Sequence, residues 1–428
     1  MPFVFRIPGL VLSLFCLYFV SPLPAQEVKH RVLVSTDVGG TDPDDFQSLI
    51  HLFMYADRVS IEGLVSSPFG GGRKSAILEI IDLYEEDFPR LASRSEHFPS
   101  PGYLRDVSKQ GALSSAPYAG HARSTEGSDW IIRCARRESE RPLWVLVWGG
   151  LEDLAQALHD APDIKDKIRI YWIGGPNKKW SVNSYAYIAQ NHSDLWMIEA
   201  NATYRGWFMD SESPDHLKGE AYYAGYIQGK GAMGEAFKDY YGGRIKMGDT
   251  PSLAYLLHGN PEEPEGESWG GSFVRITRSA RHIFDGASQQ MDTLPAYATL
   301  EWQFEGTRRA APADSICFRM KIEDQVWPGY YLGQGRYGIR YSPKRAETGS
   351  YETESGFPEL HGLRGGYTST NPWPGKASAT DIPLGAHWYS DRPDPALFIE
   401  DQQGAQTIAK FREEFLLDWA KRWEWLAE

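Results

Sequence analysis

The chain has 428 residues, with 44 Lys and Arg against 57 Asp and Glu, and so carries a formal net charge of −13. This length exceeds one ordinary domain of ~150 residues, so we expect one large domain or two smaller ones. The acidic balance argues against nucleic acid as a partner, because neutralising phosphates requires a basic surface.

The first 25 residues have the features of a secretory signal peptide. Arg6 precedes an apolar run over residues 10–20, and Ala25 ends a small-residue cleavage site. The run is shorter than the ~20 residues that a membrane-spanning helix needs, and no later stretch approaches that length. We therefore expect an exported protein, periplasmic or extracellular, without a membrane span.

Only two cysteines follow the predicted leader, Cys134 and Cys317. Two thiols exclude a disulfide scaffold and a cysteine-based zinc site. At most one disulfide bond can form, and the sequence leaves open whether it does.

Residues 32–258 alternate short apolar segments with helical patterns. Strands are predicted at residues 32–36, 59–66, 143–148, 168–173 and 195–199, and helices at residues 45–55, 73–85 and 152–159. The strand segments are apolar throughout, which is typical of strands covered on both faces. The alternation predicts an α/β fold with a doubly wound, mostly parallel sheet that binds ligands at the carboxyl ends of its strands.

The alternation stops after residue 258. Strand-like segments then occur at residues 273–277, 297–304, 316–322 and 337–341, residues 343–400 are rich in loop-forming types, and a helix is predicted at residues 405–426. We therefore predict a signal peptide over residues 1–25, an α/β domain over 28–260 and a smaller β-rich region with a closing helix over 261–428.

Four aspartates follow the first predicted strand within nine residues: Asp37, Asp42, Asp44 and Asp45. Their charges repel one another, and only some can interact with the start of the next helix. Calcium resolves this repulsion because it takes ~6 to 8 oxygen ligands without strict geometry. The alternative is an exposed acidic turn in which Asp44 caps the helix. The spacing is not that of a helix-loop-helix calcium site.

Residues 37–41, DVGGT, also resemble the phosphate loop of actin-like sugar kinases. This alternative is disfavoured, because an exported protein meets little ATP. Asp42, Asp44 and Asp45 would also face the phosphates.

Asp37 with the Asp44 and Asp45 pair resembles the amino-terminal signature of nucleoside hydrolases, Asp-x-Asp-x-Gly-x-Asp-Asp. Later segments agree in order: residues 147–155 (VWGGLEDLA), 173–175 (IGG) and 248–257 (GDTPSLAYLL). The resemblance covers residues 30–258 and points to exported bacterial nucleoside hydrolase-like proteins, which have an extra carboxyl-terminal region. It implies the fold of the inosine-uridine-preferring nucleoside hydrolases.

Carried over by position, the resemblance implies a Ca²⁺ site. Its ligands would be Asp37, Asp45, Asp249 and the carbonyl oxygen of Trp148. The acidic loop has three extra residues before the Asp pair, so Asp42 is a further candidate ligand. For Asp249 the alternative is a helix N-cap.

The resemblance also implies catalytic and substrate-binding roles. Asp37 would be the catalytic base that deprotonates a metal-bound water, and Asp44 and Asn183 would bind the sugar hydroxyls of the substrate. Tyr204 and Trp207 follow another strand end and serve either the site or the core.

Three positions depart from the family pattern. Ser35 replaces the first Asp, Ser181 stands where a sugar-binding Glu is expected, and Gly248 occupies the place of the His that assists a departing nucleobase. A poor leaving group would depart slowly without that acid. The candidates to replace it are His387, Tyr185 and Tyr389.

The resulting hypothesis is a secreted, calcium-dependent glycosidase acting on an N-glycosidic, nucleoside-like bond or a related glycosidic bond. Its partner would be a small-molecule sugar or nucleoside-like substrate, and a homo-oligomer is compatible with the sequence. The alternative is a non-catalytic, calcium-dependent carbohydrate-binding protein.

Overall fold

The computed structural model describes residues 1–3, 29–40, 42–68, 72–241, 245–289 and 291–427. The predicted signal peptide falls almost wholly on residues 4–28 and lies outside the described residues. Among the helices of the described part, none has both the length and the apolar character needed to cross a bilayer.

The first six strands form a parallel sheet. They are β1 (His30–Thr36), β2 (Val59–Ser66), β3 (Ser108–Gln110), β4 (Leu143–Val147), β5 (Ile168–Ile173) and β6 (Met197–Ala200). Their order in the sheet is β3-β2-β1-β4-β5-β6. The winding direction reverses between β1 and β4, the kind of point at which doubly wound sheets bind ligands. The predicted fold class is confirmed.

Helices cover both faces of this sheet. They are α1 (Asp44–Met54), α2 (Lys74–Arg94), α3 (Pro101–Asp106), α4 (Glu126–Ala135), α5 (Glu152–Asp160), α6 (Pro176–Trp180), α7 (Val182–Asn191), α8 (Gly219–Tyr222), α9 (Gly231–Tyr241), α10 (Thr250–Leu257), α11 (Gln406–Ala409) and α12 (Arg412–Trp423). Side chains of β1 alternate between the faces, so Val32 and Val34 pack with α1, α2, α9 and α10, whereas Leu33 packs with α4, α5 and α7. Burial on both faces explains the apolar strands.

Most of the later strands build a second sheet. The later strands are β7 (Phe273–Arg275), β8 (Arg278–Ser279), β9 (Arg281–Asp285), β10 (Thr293–Pro295), β11 (Thr299–Glu305), β12 (Ile316–Ile322), β13 (Gln325–Gly333), β14 (Arg336–Tyr341), β15 (Glu347–Glu354), β16 (Arg364–Thr370), β17 (Ile382–Pro383) and β18 (Trp388–Asp391). The sheet order is β10-β16-β15-β12-β13-β14-β11-β9, and most neighbours are antiparallel. In the described residues, β8 and β17 pair only with each other.

The prediction that residues 343–400 are loop-rich was wrong for β15, β16 and β18. In β15 every second residue is buried, and those residues are Gly349, Tyr351 and Thr353. A strand that buries small and polar side chains carries no aliphatic signal in its sequence.

Two strands of the later region extend the first sheet. β18 pairs in parallel with β6, and β7 pairs antiparallel with β18. The carboxylate of Asp391 in β18 accepts hydrogen bonds from the backbone N–H groups of Asn201, Ala202 and Thr203 at 3.1, 2.9 and 3.2 Å. The two parts of the chain are thus joined by a continuous sheet.

The predicted closing helix is divided by a turn into α11 and α12. The apolar side chains of α12 pack on the α1 side of the first sheet, where the rings of Phe415 and Trp207 stack at 3.7 Å. Arg422 adds a hydrogen bond of 2.7 Å to the carbonyl of Met54 at the end of α1. The end of the chain therefore completes the core of the first sheet.

The two cysteines do not pair in this structure. Cys134 is buried in α4, Cys317 is partly exposed in β12, and both thiols are free. The single disulfide that the sequence allowed is therefore absent.

A buried ion pair connects the first sheet to the later region. Lys178 Nζ lies 2.8 Å from Glu199 Oε1, and both side chains are fully buried. The indole N–H of Trp388 donates to Glu199 Oε2 at 3.2 Å, and the ammonium lies 4.0 Å from the ring centroid of Trp373. The pair therefore fixes α6, which contains Lys178, against two tryptophans of the later region.

We expect Glu199→Gln to lower the free energy of unfolding by about 3 to 5 kcal/mol, because it leaves the Lys178 ammonium buried without a counter-charge. Urea unfolding measures the change. Glu352→Gln is the matched control, because Glu352 and Arg364 form a pair with side chains 51% and 75% exposed. Loss of this exposed pair should lower the free energy of unfolding by less than about 1 kcal/mol. Equal effects of the two variants would contradict this assignment.

Candidate functional site

A cavity of about 330 Å³ opens at the carboxyl ends of β1 and β4, at the switch point of the sheet. All five predicted aspartates line it, together with Trp148: Asp37, Asp42, Asp44, Asp45 and Asp249. The tertiary structure thus brings Asp249 to the acidic loop, although about 200 residues separate them in the sequence.

The acidic loop turns inward. Asp44 and Asp45 begin α1 and are only 8% and 3% exposed. The hydroxyl of Thr36, the last residue of β1, donates a hydrogen bond to Asp45 Oδ1. The segment is therefore not the exposed acidic turn of the alternative interpretation, and Asp44 does not cap α1, because it is already its first residue.

Asp249 lies immediately before α10, in the N-cap position, yet its side chain caps no backbone N–H group. Its Oδ2 atom is buried without a hydrogen-bond partner. One carboxylate oxygen from each of Asp44, Asp45 and Asp249 lies within 4.8 Å of the other two. The N-cap alternative for Asp249 is therefore not supported, and its carboxylate instead faces two others.

Burial and mutual repulsion oppose ionisation of these groups. Loss of hydration raises the pKa of Asp37 to about 7; the hydrogen bond with Asp45 opposes this rise, and the charges of Asp44 and Asp42 add to it. Burial and the neighbouring carboxylates raise the pKa of Asp45 and of Asp249 well above the usual range. The cluster thus lacks enough positive charge to keep all its carboxylates ionised.

Lys246 supplies one positive charge at the edge of the cluster. Its Nζ lies 3.2 Å from Asp44 Oδ2 and also pairs with Asp42, whose side chain is about half exposed. Burial by itself would lower the pKa of Lys246, but Asp44 and Asp42 outweigh it and raise the value. Asp42 thus points to Lys246 at the rim, and the buried members of the cluster are Asp44, Asp45 and Asp249.

The loop after β4 brings a carbonyl to the same place. The backbone N–H of Trp148 donates to the carbonyl of Ser35 at 2.7 Å, and the Trp148 carbonyl accepts from Asn177 Nδ2 at 3.3 Å. A carbonyl has a second lone pair, so this oxygen can accept one more partner. Gly149 is required here, because a Cβ atom would lie 2.8 Å from the Cβ of Asp37.

These donors suit a hard divalent cation. All are oxygens, most are buried, and the unpartnered Asp249 Oδ2 needs a positive partner. The residues that can hold such an ion are Asp37, Asp45, Asp249 and the carbonyl of Trp148, with Asp44 adjacent.

Asn183 lies outside this cavity. It is the second residue of α7, and its Nδ2 donates to the carbonyl of Ala116 at 3.1 Å. The three candidates for a leaving-group acid, Tyr185, His387 and Tyr389, are also not among the described residues that line the cavity. Tyr185 instead donates to Glu199 at 2.9 Å in the core.

The sequence did not single out four other lining residues: Lys246, Asn177, Trp180 and Lys344. A sequence pattern could have indicated Asn177 and Trp180, because they follow the Gly-Gly end of β5. Lys246 precedes the predicted Asp249 by three residues. No sequence pattern indicated Lys344, because it reaches the cavity from the second sheet. Tyr204, which had two interpretations, does line the cavity.

Two departures from the family pattern have local structural reasons. At Gly248 a Cβ atom would lie 2.5 Å from Asp44 Oδ2, so a histidine cannot occupy this position without displacing that carboxylate. The hydroxyl of Ser181 donates to Glu152 Oε1 at 3.0 Å. A carboxyl group therefore lies beside Ser181, although it comes from α5.

Residues 31–273 match the model of the family described as "Cellulose-binding Sde182, nucleoside hydrolase-like domain". The chain belongs to this family. Residues 293–356 match a further model, described as a domain of unknown function (DUF5060). The chain is therefore nucleoside hydrolase-like and carries an extra carboxyl-terminal region, which confirms the resemblance found in the sequence. No curated protein matches the chain.

Solved structures are similar at low identity. A nucleoside hydrolase-related hypothetical protein from Saccharophagus degradans, associated with carbohydrate metabolism, is 18% identical with a TM-score of 0.49, over 80% of this chain and 100% of that one. The inosine-uridine preferring nucleoside hydrolase from Bacillus anthracis is 16% identical with a TM-score of 0.37, over 59% of this chain and 86% of that one.

We expect added CaCl₂ to raise the melting temperature of the nucleoside hydrolase-like protein and EGTA to reverse the rise. A ligand at 100 times its dissociation constant stabilises a protein by about 2.7 kcal/mol. Asp249→Asn should remove most of the rise, because it replaces a charged ligand. The control is Asp324→Asn, at an exposed position, and this variant should keep the calcium-dependent rise in melting temperature. Calorimetry with CaCl₂ checks the affinity directly, and an unchanged response in Asp249→Asn would contradict the site.

We expect Gly248→Ala to weaken calcium binding at least tenfold, because the added methyl group displaces the Asp44 carboxylate. Gly225→Ala is the matched control, since a Cβ at that exposed glycine would meet nothing within 4 Å. Titration calorimetry of both variants provides the comparison. Wild-type calcium affinity in Gly248→Ala would contradict a contribution of Asp44 to calcium binding.

Proposed function

We propose that this protein is an exported, calcium-dependent glycosidase that hydrolyses an N-glycosidic or related glycosidic bond. The observation that carries the proposal is the buried group of Asp44, Asp45 and Asp249 beside Asp37 at the switch point of the sheet, with one oxygen of Asp249 left without a partner. Export is proposed from the features of residues 1–25 alone.

Calcium, when bound there, supplies positive charge that orients a water molecule and the hydroxyl groups of a sugar. Helices α1 and α10 hold the carboxylates of Asp45 and Asp249 in place. Asp44, next to them and paired with Lys246, accepts hydrogen bonds from the sugar hydroxyls. Tyr204 lines the cavity as well.

Asp37 is the base of the proposed reaction. It is half-buried at the end of β1 and lines the cavity, so its carboxylate can accept a proton from a water molecule held there. The water oxygen forms a bond to the anomeric carbon and gives its proton to Asp37. The bond to the leaving group breaks on the opposite face, so the configuration inverts, and the leaving group departs with the electron pair.

The leaving group decides which substrates react. Position 248 is glycine, and no histidine is among the described residues that line the cavity. A departing nucleobase would therefore not be protonated by a histidine, so good leaving groups are favoured. A sugar derivative other than a free nucleoside fits this arrangement better.

The second candidate is a calcium-dependent carbohydrate-binding protein without catalysis. The observation that favours it is that the matching family is described as cellulose-binding, together with Gly248 in place of a histidine. This candidate retains the metal site and the sugar contacts but has no turnover.

A release assay separates the two. We expect release from at least one member of a panel of purine ribosides, pyrimidine ribosides and nitrophenyl glycosides in CaCl₂, and none in EGTA. Asp37→Ala and Asp37→Asn should lower kcat by at least about 10² to 10⁴, the contribution of a general base. Asp324→Asn should retain the wild-type rate.

No release from any substrate, combined with intact calcium-dependent sugar binding, would refute the enzyme and support the binding protein. Equal rates for wild type and Asp37→Asn would refute the role of Asp37.

A further inference from the structure

One wall of the cavity comes from the carboxyl-terminal region. Lys344 lines the cavity, whereas every other described lining residue belongs to residues 37–249. It lies in the turn between β14, which ends at Tyr341, and β15, which begins at Glu347. The second sheet therefore contributes directly to the candidate site.

An aromatic stack holds that wall in place. Trp180, the last residue of α6, lines the cavity, and its ring lies 4.7 Å from the ring of Trp327 in β13. Trp327 in turn lies 5.4 Å from Tyr341. Trp180 is partly exposed, so it combines a fixed position with an accessible apolar surface, which suits the C–H face of a sugar ring.

Among the described residues, neither of the two lysines near these rings has a carboxylate partner. Lys179 is only 8% exposed, and its Nζ lies 5.3 to 5.7 Å from the ring centroids of Trp180, Trp327 and Tyr341. Within the described part of the chain, neither Lys179 nor Lys344 has a carboxylate oxygen within 4.0 Å. Lys246, across the cavity, differs because it has two carboxylate partners.

Lys344 also acts on Lys179 through its charge. Burial first, and then the charge of Lys344, lowers the pKa of Lys179, while Glu347 opposes this shift in part. A lysine that lines a cavity without a carboxylate partner gains from an anion that binds beside it.

We propose that Trp180 and Lys344 form a subsite for a sugar that bears an anionic substituent. The sugar ring packs on Trp180, and the anionic group pairs with the ammonium group of Lys344. This inference rests on the proposed function, because it names the substrate class of the same cavity. The anion is a uronate carboxylate or an ester sulfate, which share this chemistry.

A nucleobase does not meet these requirements. It is neutral near pH 7 and so gives no counter-charge to Lys344. The subsite therefore favours an acidic saccharide over a nucleoside as the ligand.

Calorimetry on the full chain in CaCl₂ tests the inference with three probes: cellotriose, cellotriose oxidised to carboxylates at C6, and cellotriose 6-sulfate. We expect at least one anionic probe to bind at least tenfold more tightly than cellotriose, and the carboxylate and sulfate arms identify which anion is preferred. Lys344→Met should remove about tenfold of that preference and leave the affinity for cellotriose unchanged.

Two further variants separate charge from structure. Lys344→Arg keeps the charge and should retain the preference, and Lys376→Met removes an exposed lysine elsewhere and should also retain it. The melting temperature of each variant verifies its fold.

Equal binding of neutral and anionic probes by the wild type would overturn the inference, as would an unchanged preference in Lys344→Met or the absence of binding by every probe. The release assay with nitrophenyl glycosides is independent of this subsite. Failure of the anionic preference with calcium-dependent release intact would refute the inference alone.

Discussion

Asp37, Asp44, Asp45 and Asp249 repel one another, and burial removes most of the water that would screen their charges. Thr36 and Lys246 relieve only part of this repulsion, and one oxygen of Asp249 has no partner. Much of the surrounding structure follows from this constraint. Glycine at position 248 leaves room for the Asp44 carboxylate, which a Cβ atom there would displace. Gly149 likewise leaves room for Asp37.

The same constraint requires a rigid frame, because four like charges would otherwise move apart. β1 and β4 fix Asp37 and the Trp148 carbonyl, and α10 fixes Asp249. The hydroxyl of Thr250 donates to Ser48 of α1 at 3.1 Å, and the backbone N–H of Lys246 donates to Gln47 at 3.0 Å. These bonds join the segment before α10 to the helix that carries Asp44 and Asp45.

The carboxyl-terminal region belongs to this frame. β18 extends the first sheet, and its Asp391 fixes the backbone that follows β6. Trp373 and Trp388 enclose the buried pair of Lys178 and Glu199, which anchors α6. Because α6 carries Asn177 and Trp180, the later region supports one wall of the cavity from behind. Through Lys344 it also supplies part of the surface that a ligand would meet.

Much of the first sheet could be predicted from the sequence. Strands covered on both faces must be apolar throughout, and helices must alternate with them, so the pattern of residues 32–258 indicated both the elements and their parallel arrangement. The ends of β2 and β5 agree with the prediction. β3 was not predicted, because its three residues, Ser108–Gln110, are too few and too polar to give a strand pattern.

The second sheet was predicted less well for a physical reason. A strand that buries only one face needs apolar residues only at every second position, and β15 fills those positions with glycine, tyrosine and threonine. Such a segment has the composition of a loop. Its structure depends on strands that are distant in the sequence.

The sequence by itself determined which residues carry negative charge at the strand ends, since four aspartates in nine residues are a local property. Only the tertiary structure decided which of them share a site. In the folded chain Asp42 lies at the rim beside Lys246, and Asn183 lies against Ala116. Asp249, Trp180 and Lys344 all line one cavity. Such contacts depend on how distant elements pack, and packing has no local signature in the chain.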